Sequence, residues 1–215
     1  MKKLLISMMF SLLCASSAGG QTAPDHYRDL VQRLKAGDRT VDFTEFRMAF
    51  VDSPEFRGPD SELLGRAKTA LNAQRYEELL SVSGKMLDEN YADVGAHFNA
   101  YRAHKELGHK DETAYHQFIY EGLLDSIEKS GDGKSRATAY VAISVNEVLL
   151  PVFRDEIKKE TRFEVHVLDE GGHHWCTFEG VNAHTDQRFV LFFNIDIPVN
   201  RIKDTLTKKK TIGAT

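Results

Sequence analysis

Cysteine is nearly missing from this chain, and so are long apolar segments and an excess of basic residues. Only 2 of the 215 residues are cysteine, which excludes a disulfide-rich scaffold. No apolar run reaches the ~20 residues that a membrane-spanning helix needs. With 28 Lys+Arg against 32 Asp+Glu, the formal net charge is −4, so the chain lacks the basic surface of a nucleic-acid binder. We therefore expect a fold stabilised by burial, with no nucleic-acid partner and no stable membrane insertion of the mature chain.

The first twenty residues have the three parts of a bacterial export signal. Lysines occupy positions 2 and 3, an apolar core occupies 4–13, and small residues follow over 15–20. Such a leader is cleaved on export, and Cys14 would leave with it, so that Cys176 is the one thiol left in the mature chain. We predict a signal peptide over 1–20 and a periplasmic or secreted mature protein.

The segment 24–133 has the apolar spacing of amphipathic helices that pack on one another. Between 61 and 125 it predicts two helical hairpins, with turns near Gln74 and Gly108. These turns are about 34 residues apart, which is the period of a tetratricopeptide repeat. The small residues that such repeats need where their helices cross are mostly missing. The prediction is therefore TPR-like packing and not a proven repeat.

The segment 137–206 predicts a small, mainly antiparallel β-sheet with flanking helices, since apolar and polar residues alternate in two stretches and 189–195 is apolar on both faces. A turn at Glu170–Gly171 would pair Val167 with His174 and Val165 with Cys176, and on the other face His166 with Trp175. The predicted core side chains are Tyr140, Phe163, Val165, Val167, Cys176, Phe178, Val190 and Phe192. The expected fold class is α+β, with the helical layer first, the sheet second and a basic flexible tail over 207–215.

Three segments of the chain are similar to one known family. They are YRDLVQRLKAG at 27–37, VDFTEFRMAF at 41–50 and FVLFFNIDIP at 189–198. The most specific pieces are Asp42-Phe43 with Arg47, and Phe193-Asn-Ile-Asp196. They resemble an exported bacterial family known only as domain of unknown function 4919. The resemblance spans nearly the whole mature chain and implies an exported protein with helices followed by a sheet, but it implies no activity.

The residues His173, His174, Cys176 and His184 are the densest group of possible metal ligands, because imidazole and thiolate suit zinc or copper. Adjacent His173 and His174 point to opposite faces of a strand, and Cys176 lies some ~6.5 to 7 Å along the strand from His174. We therefore predict structural roles, with no catalytic residue, metal or cofactor. A bulge at Gly171–Gly172 that turned His173 toward His174 would favour the alternative, a metal- or thiol-dependent enzyme.

Four aromatic and imidazole side chains mark the helical region as a possible binding surface. His97 and His104 lie two turns apart on one predicted helix, with Tyr101 between them and Tyr115 on the next helix. They line either the packed seam of a helical hairpin or a peptide groove of the kind that helical repeats present.

Asp42 and Arg47 are candidate structural anchors. Asp42 begins the second helix with a capping pattern completed by Glu45. Arg47 interrupts an apolar segment, and a buried arginine is costly unless it is fully bonded. We expect Arg47 to be bonded to a carboxylate or to backbone carbonyls elsewhere; anion binding is the alternative.

No catalytic triad, nucleotide-binding loop or paired-carboxylate motif stands out in the sequence. We therefore expect an exported, non-enzymatic protein that binds an unknown protein or peptide. The alternatives are the enzyme based on His173, His174 and Cys176, an envelope structural protein, and an inhibitor or immunity protein.

Overall fold

The computed structural model describes residues 23–154 and 163–212 of the chain. Within them the fold is α+β: helices come first, and a small mixed sheet with a flanking helix follows. The predicted signal peptide over 1–20 lies outside the described residues, so export stays a prediction.

The N-terminal part is built of helices joined by short turns. These are α1 (Ala23–Lys35), α2 (Phe43–Asp52), α3 (Ser61–Asn72), α4 (Tyr76–Glu89), α5 (Val94–Leu107) and α6 (Lys110–Glu128). From α3 to α6 each helix packs on the next, and α2 packs on α6. The pairs α3–α4 and α5–α6 confirm the two predicted hairpins, whereas their likeness to tetratricopeptide repeats stays a prediction.

Aspartate side chains cap the N-termini of several of these helices. Asp42 accepts hydrogen bonds from the backbone N–H groups of Thr44 and Glu45 at the start of α2, and Asp60 does the same for α3. Each cap satisfies N–H groups that lack a partner within the helix and contributes about 1 kcal/mol. At the end of α5, Gly108 has a φ of 79°, the left-handed conformation in which helices commonly stop.

A close aromatic contact positions α2 against α6. The ring of Phe43 lies over Gly122, where a Cβ atom would be only 2.2 Å from the ring. Phe43 also packs edge-on against Phe118, with ring centroids 5.5 Å apart. Any larger residue at position 122 would therefore have to displace the ring of Phe43.

The C-terminal part contains a four-stranded sheet in the order β1-β4-β3-β2. Its strands are β1 (Tyr140–Val141), β2 (Glu164–Glu170), β3 (His173–Val181) and β4 (Arg188–Asn194). β1 is parallel to β4, and the other pairings are antiparallel. The neighbouring helical elements are two short 3₁₀ turns (Arg136–Thr138 and Val145–Leu149), α7 (Leu150–Phe153) and α8 (Asp196–Ile212). Buried residues of the helices and of the sheet form one hydrophobic cluster.

The turn between β2 and β3 differs from the predicted Glu170–Gly171. Gly171 and Gly172 form it, with φ values of 65° and 82°, and Glu170 is the last paired residue of β2. The physical reason is that a two-residue type I′ turn needs positive φ at both central positions, which glycine adopts without strain.

The observed register between β2 and β3 consequently differs from the predicted one by two residues. Val167 lies opposite Cys176, and His166 lies opposite Thr177, so the predicted pairing of His166 with Trp175 is wrong. Because the shift is even, each side chain keeps its predicted face.

The predicted sheet core is right only in part. Cys176 and Phe178 are buried, and Tyr140 and Phe192 are partly buried. The prediction is wrong for Phe163, Val165, Val167 and Val190, which are exposed. Alternation identifies the residues that share a face. It does not show that β2 is the edge strand, where side chains on that face are exposed. Val190 lies opposite Glu179 on the other face.

The helix α8 extends through Ile212. Within the segment 207–215, which we predicted as a basic flexible tail, residues 207–212 are therefore helical; lysine, at 208–210, is a good helix former. Residues 213–215 lie outside the described part. None of the helices in the described part has the length and apolar character of a membrane-spanning segment.

Candidate functional site

Asp196, at the start of α8, holds both histidines at the beginning of β3. Its Oδ2 atom accepts a hydrogen bond from Nδ1 of His173 at 2.8 Å, and its Oδ1 atom accepts one from Nδ1 of His174 at 3.1 Å. The backbone N–H of His174 and the side-chain amide of Asn194 also donate to this carboxylate. The two histidines leave the strand on opposite sides, as a strand requires, but one carboxylate reaches both with its two oxygens.

These donors explain the charge of Asp196. Partial burial alone would raise its pKa, but the hydrogen bonds from His173, His174 and Asn194 outweigh that effect and lower the pKa to about 2. Asp196 is therefore a carboxylate at any pH where the protein would work, and each bonded histidine nitrogen carries the proton.

The imidazole of His174 has both nitrogens engaged. Since Nδ1 donates to Asp196, Nε2 is the acceptor, and Lys203 Nζ of α8 donates to it at 2.8 Å. The His174 side chain is only 8% exposed. The chain of bonds from Lys203 through His174 to Asp196 therefore fixes α8 on the sheet, and no nitrogen of His174 is left to act as a base.

The remaining two members of the predicted metal or thiol group lie apart from this cluster. Cys176 is buried, and burial raises the pKa of its thiol, which disfavours the nucleophilic thiolate. His184 is exposed in the loop between β3 and β4, where its backbone N–H donates to Asn182. Over residues 23–154 and 163–212, no three His, Cys, Asp or Glu side chains are arranged to hold a metal ion.

The helical histidines form a row along the seam between α5 and α6. His97 Nε2 donates to the backbone oxygen of Tyr91 at 3.0 Å, so its Nδ1 must accept from Nδ1 of His116, also at 3.0 Å. The ring of His116 stacks on that of His104, with centroids 5.4 Å apart. Next in the row, His104 and His109 are joined through their Nδ1 atoms.

Three histidines of this row, His97, His104 and His116, are uncharged at neutral pH. Burial lowers the pKa of His97 to about 3 and that of His116 to about 4, and in both cases a neighbouring histidine adds to the effect. Burial also lowers the pKa of His104. The seam therefore packs neutral imidazoles in a place that cannot accept several positive charges.

The four residues of the possible helical groove lie along the same seam. His97 is completely buried, and Tyr101 packs against Phe98 and Tyr120. His104 is stacked in the histidine row, and the hydroxyl of half-buried Tyr115 is bonded to that of Tyr91. These contacts are those of a packed seam; a peptide groove at these positions stays a prediction.

Arg47 lies in the interior between α2 and the residues around β1. Its guanidinium donates to both carboxylate oxygens of Glu147, at 3.1 and 2.6 Å, and to the backbone oxygen of Val141 at 2.8 Å. Arg47 and Glu147 are 3% and 2% exposed. These are the partners that we expected for a buried arginine, and Glu147 also accepts the backbone N–H of Ile143. An anion has no access to Arg47 in this arrangement.

An open groove lies elsewhere, between the α2–α3 connection, the residues after β1 and the start of α8. Its volume is about 250 Å³. The apolar lining is formed by Phe56, Pro59, Ile143, Val145, Pro198 and Ile202, and the two cationic side chains are Arg57 and Arg201. We call this site the 56–202 groove.

The two arginines of the 56–202 groove differ from each other in their contacts. Arg201 donates to the backbone oxygen of Val51 at 2.6 Å, and its guanidinium lies over the ring of Phe56, 5.5 Å from the ring centroid. Arg57 is exposed and donates to the backbone oxygen of Glu55. Val145 and Ile202 are also exposed, at 44% and 50%. The groove thus combines uncovered apolar surface with positive charge.

Sequence comparison identifies a domain of unknown function (DUF4919) over residues 20–166. The chain belongs to this family. No curated protein and no solved structure matches it. The DUF4919 match extends from the first helix into β2, so it includes the groove residues of the α2–α3 connection but not those of α8. Membership identifies the family and assigns no activity.

No sequence motif indicated the groove in this DUF4919 protein. Its lining comes from three short segments, at 56–59, 143–145 and 198–202, none of which carries a motif. The one available sequence signal was Phe193-Asn-Ile-Asp196. This segment resembles the family and ends at Asp196, the first residue of α8. That carboxylate positions α8, and α8 contributes one wall of the groove.

Proposed function

We propose that this DUF4919 protein is exported and binds, without catalysis, a peptide segment of a partner protein in the 56–202 groove. The supporting observation is an apolar groove in which Val145 and Ile202 are exposed and two arginines are among the lining residues. Exposed apolar surface rimmed by polar groups commonly marks an interaction site.

The size of the groove favours a peptide over a cofactor. Sites that enclose a drug-sized ligand measure roughly 300–1,000 Å³, whereas this groove has about 250 Å³. That volume suits one or two apolar side chains of a longer ligand, which would continue over the surface outside. The arginines favour a carboxylate next to the apolar anchor, since guanidinium groups bind carboxylates with two parallel hydrogen bonds.

The candidate catalytic side chains support binding over catalysis. The thiol of Cys176 is buried with a raised pKa, and both nitrogens of His174 are bonded to Asp196 and Lys203. A thiol-dependent enzyme needs a thiolate next to a free base. The support for export is the leader sequence alone.

The peptide proposal can be tested by selection from a peptide library on the immobilised protein, followed by measurement of the dissociation constant for each selected peptide. We expect peptides with an apolar residue close to an acidic one. Ile202→Asp should weaken their binding at least about tenfold, because it places a carboxylate in the groove. The matched control is Val190→Asp, since Val190 is similarly exposed but lies on β4.

Two results would overturn the binding proposal. One is a library that yields no peptide dependent on the groove. The other is an equal loss of affinity in Ile202→Asp and Val190→Asp, which would place the binding surface elsewhere.

Export is tested separately by fusing residues 1–25 to a reporter enzyme that is active only outside the bacterial cytoplasm. We expect reporter activity and a mature N-terminus close to Gln21. Leu12→Arg, which interrupts the apolar core of the leader, should abolish the activity. Equal activity in both fusions would contradict export by this leader.

A further inference from the structure

The edge strand β2 carries an exposed apolar row. In the described part of the chain, β2 lies at one edge of the sheet and pairs with β3 on one side only. Val165 and Val167 lie on one face of β2, and Phe163, just before the strand, stacks on Phe178 on the same face. They are 41% (Val165), 68% (Val167) and 41% (Phe163) exposed. An exposed apolar edge strand is a template for pairing with another strand.

The outer edge of β2 has backbone groups that point away from β3. The backbone N–H and C=O of His174 bond to Asp196 and Ile195, on the side of β3 opposite to β2. Its cross-strand partner Asp169 is therefore in a pair without hydrogen bonds to β3. Since orientation alternates along a strand, Val165 and Val167 also direct their N–H and C=O groups outward. Among the described residues, no backbone hydrogen bond to these outward groups is present.

We propose that β2 pairs antiparallel with β2 of a second copy of this chain, about a two-fold axis at Val165. The two sheets then form one continuous eight-stranded sheet. Val165 lies opposite its own copy, Phe163 lies opposite Val167, and on the other face Glu164 lies opposite His166. Within the paired stretch 163–167, each apolar residue lies opposite an apolar one, and Glu164 lies opposite His166, whose imidazole can donate to the carboxylate.

The pattern of side chains selects this register over its neighbours. Only even shifts keep the apolar row on one face of both copies. An axis at His166 would place Phe163 opposite Asp169, an apolar ring against a charge. An axis at Val167 would place Glu164 opposite Glu170, and like charges directly across an antiparallel pair are destabilising. The axis at Val165 alone among these matches both faces.

The association is measured by sedimentation equilibrium on the chain expressed with its own leader and then purified. We expect a concentration-dependent dimer. Val165→Lys should raise its dissociation constant at least about tenfold, because it brings two ammonium groups together at the axis and lysine blunts an edge strand. Val190→Lys is the control, since Val190 has a nearly equal exposure of 42% and lies on β4 rather than on an edge.

Thermal unfolding by circular dichroism should show that both lysine variants fold as the unaltered chain does. A chain that remains monomeric at all concentrations would overturn the proposal. So would a Val165→Lys variant that dimerises as well as the unaltered chain, because the contact would then lie on another surface.

The register is tested by cross-linking single cysteine variants. Residues directly opposite in a hydrogen-bonded antiparallel pair have Cα atoms about 5.5 Å apart, which a disulfide spans. Val165→Cys should therefore form a covalent dimer under mild oxidation, whereas Val167→Cys, which faces Phe163, should form little. The native Cys176 is buried and does not compete. Preferential cross-linking of Val167→Cys would overturn the proposed axis.

Discussion

The ion pair between Arg47 and Glu147 is expected to be the most sensitive single contact in the fold. Arg47→Ala would leave a carboxylate that is 2% exposed, with the backbone N–H of Ile143 as its remaining donor among the described residues. It would also remove the donor to the backbone oxygen of Val141. Breaking a buried pair from one side costs on the order of 3 to 5 kcal/mol.

That loss can be converted into measurable changes. For a chain of this size, 1 kcal/mol corresponds to about 2–4 °C in Tm, so Arg47→Ala should lower the Tm by roughly 6–20 °C. Urea titration followed by circular dichroism gives the free energy of unfolding directly. The matched control is Arg75→Ala, which breaks an exposed pair with Glu78 at 3.0 Å; such pairs contribute roughly 0.2–1 kcal/mol.

A double variant separates the charge from the packing. Arg47→Met with Glu147→Leu removes both charges and keeps apolar volume, so we expect it to be clearly more stable than Arg47→Ala. The reasoning is refuted if Arg47→Ala changes the free energy of unfolding by less than about 1 kcal/mol, as an exposed pair would.

Three further predictions concern the core and the buried titratable groups. Phe178→Ala should cost about 3–5 kcal/mol of unfolding free energy, whereas Val167→Ala should cost under about 0.5 kcal/mol, because only Phe178 is buried. The free energy of unfolding should fall as pH drops from 6.5 toward 4, since His97 and His116 have lowered pKa values of about 3 and 4 and the unfolded chain takes up protons first; Asp93, whose pKa burial raises to about 6, offsets part of this fall. His97→Gln should make the fall shallower, because His116 still contributes, and an unchanged slope would contradict a contribution from His97. Cys176 should react with a thiol reagent only after unfolding, and a fast reaction of the native chain would contradict its burial.

Local features of this fold were readable in the sequence. Asp42 was expected to cap α2, and it does, because a cap depends on residues within one helical turn. Arg47 was expected to be buried and bonded, but its carboxylate partner is Glu147, 100 residues away. Periodicity carries no information on a contact at that separation.

The sheet shows a second limit of sequence reasoning. Alternation placed Val165 and Val167 on the face of Cys176, and the structure agrees. It did not show that β2 is the edge strand, because strand order depends on contacts that no single strand encodes. The joint contact of His173 and His174 with Asp196 depends in the same way on where α8 begins.

The most direct test of the proposed function is to capture the ligand at the groove in living bacterial cultures that export the protein. A photo-reactive amino acid in place of Val145 is compared with the same amino acid in place of Val190, because the two valines have exposures of 44% and 42% and only Val145 lines the groove. We expect irradiation to give a discrete adduct at position 145 alone, with the cross-linked partner peptide containing an apolar residue near an acidic one. No adduct at position 145, or the same adduct at both positions, would contradict binding in the 56–202 groove.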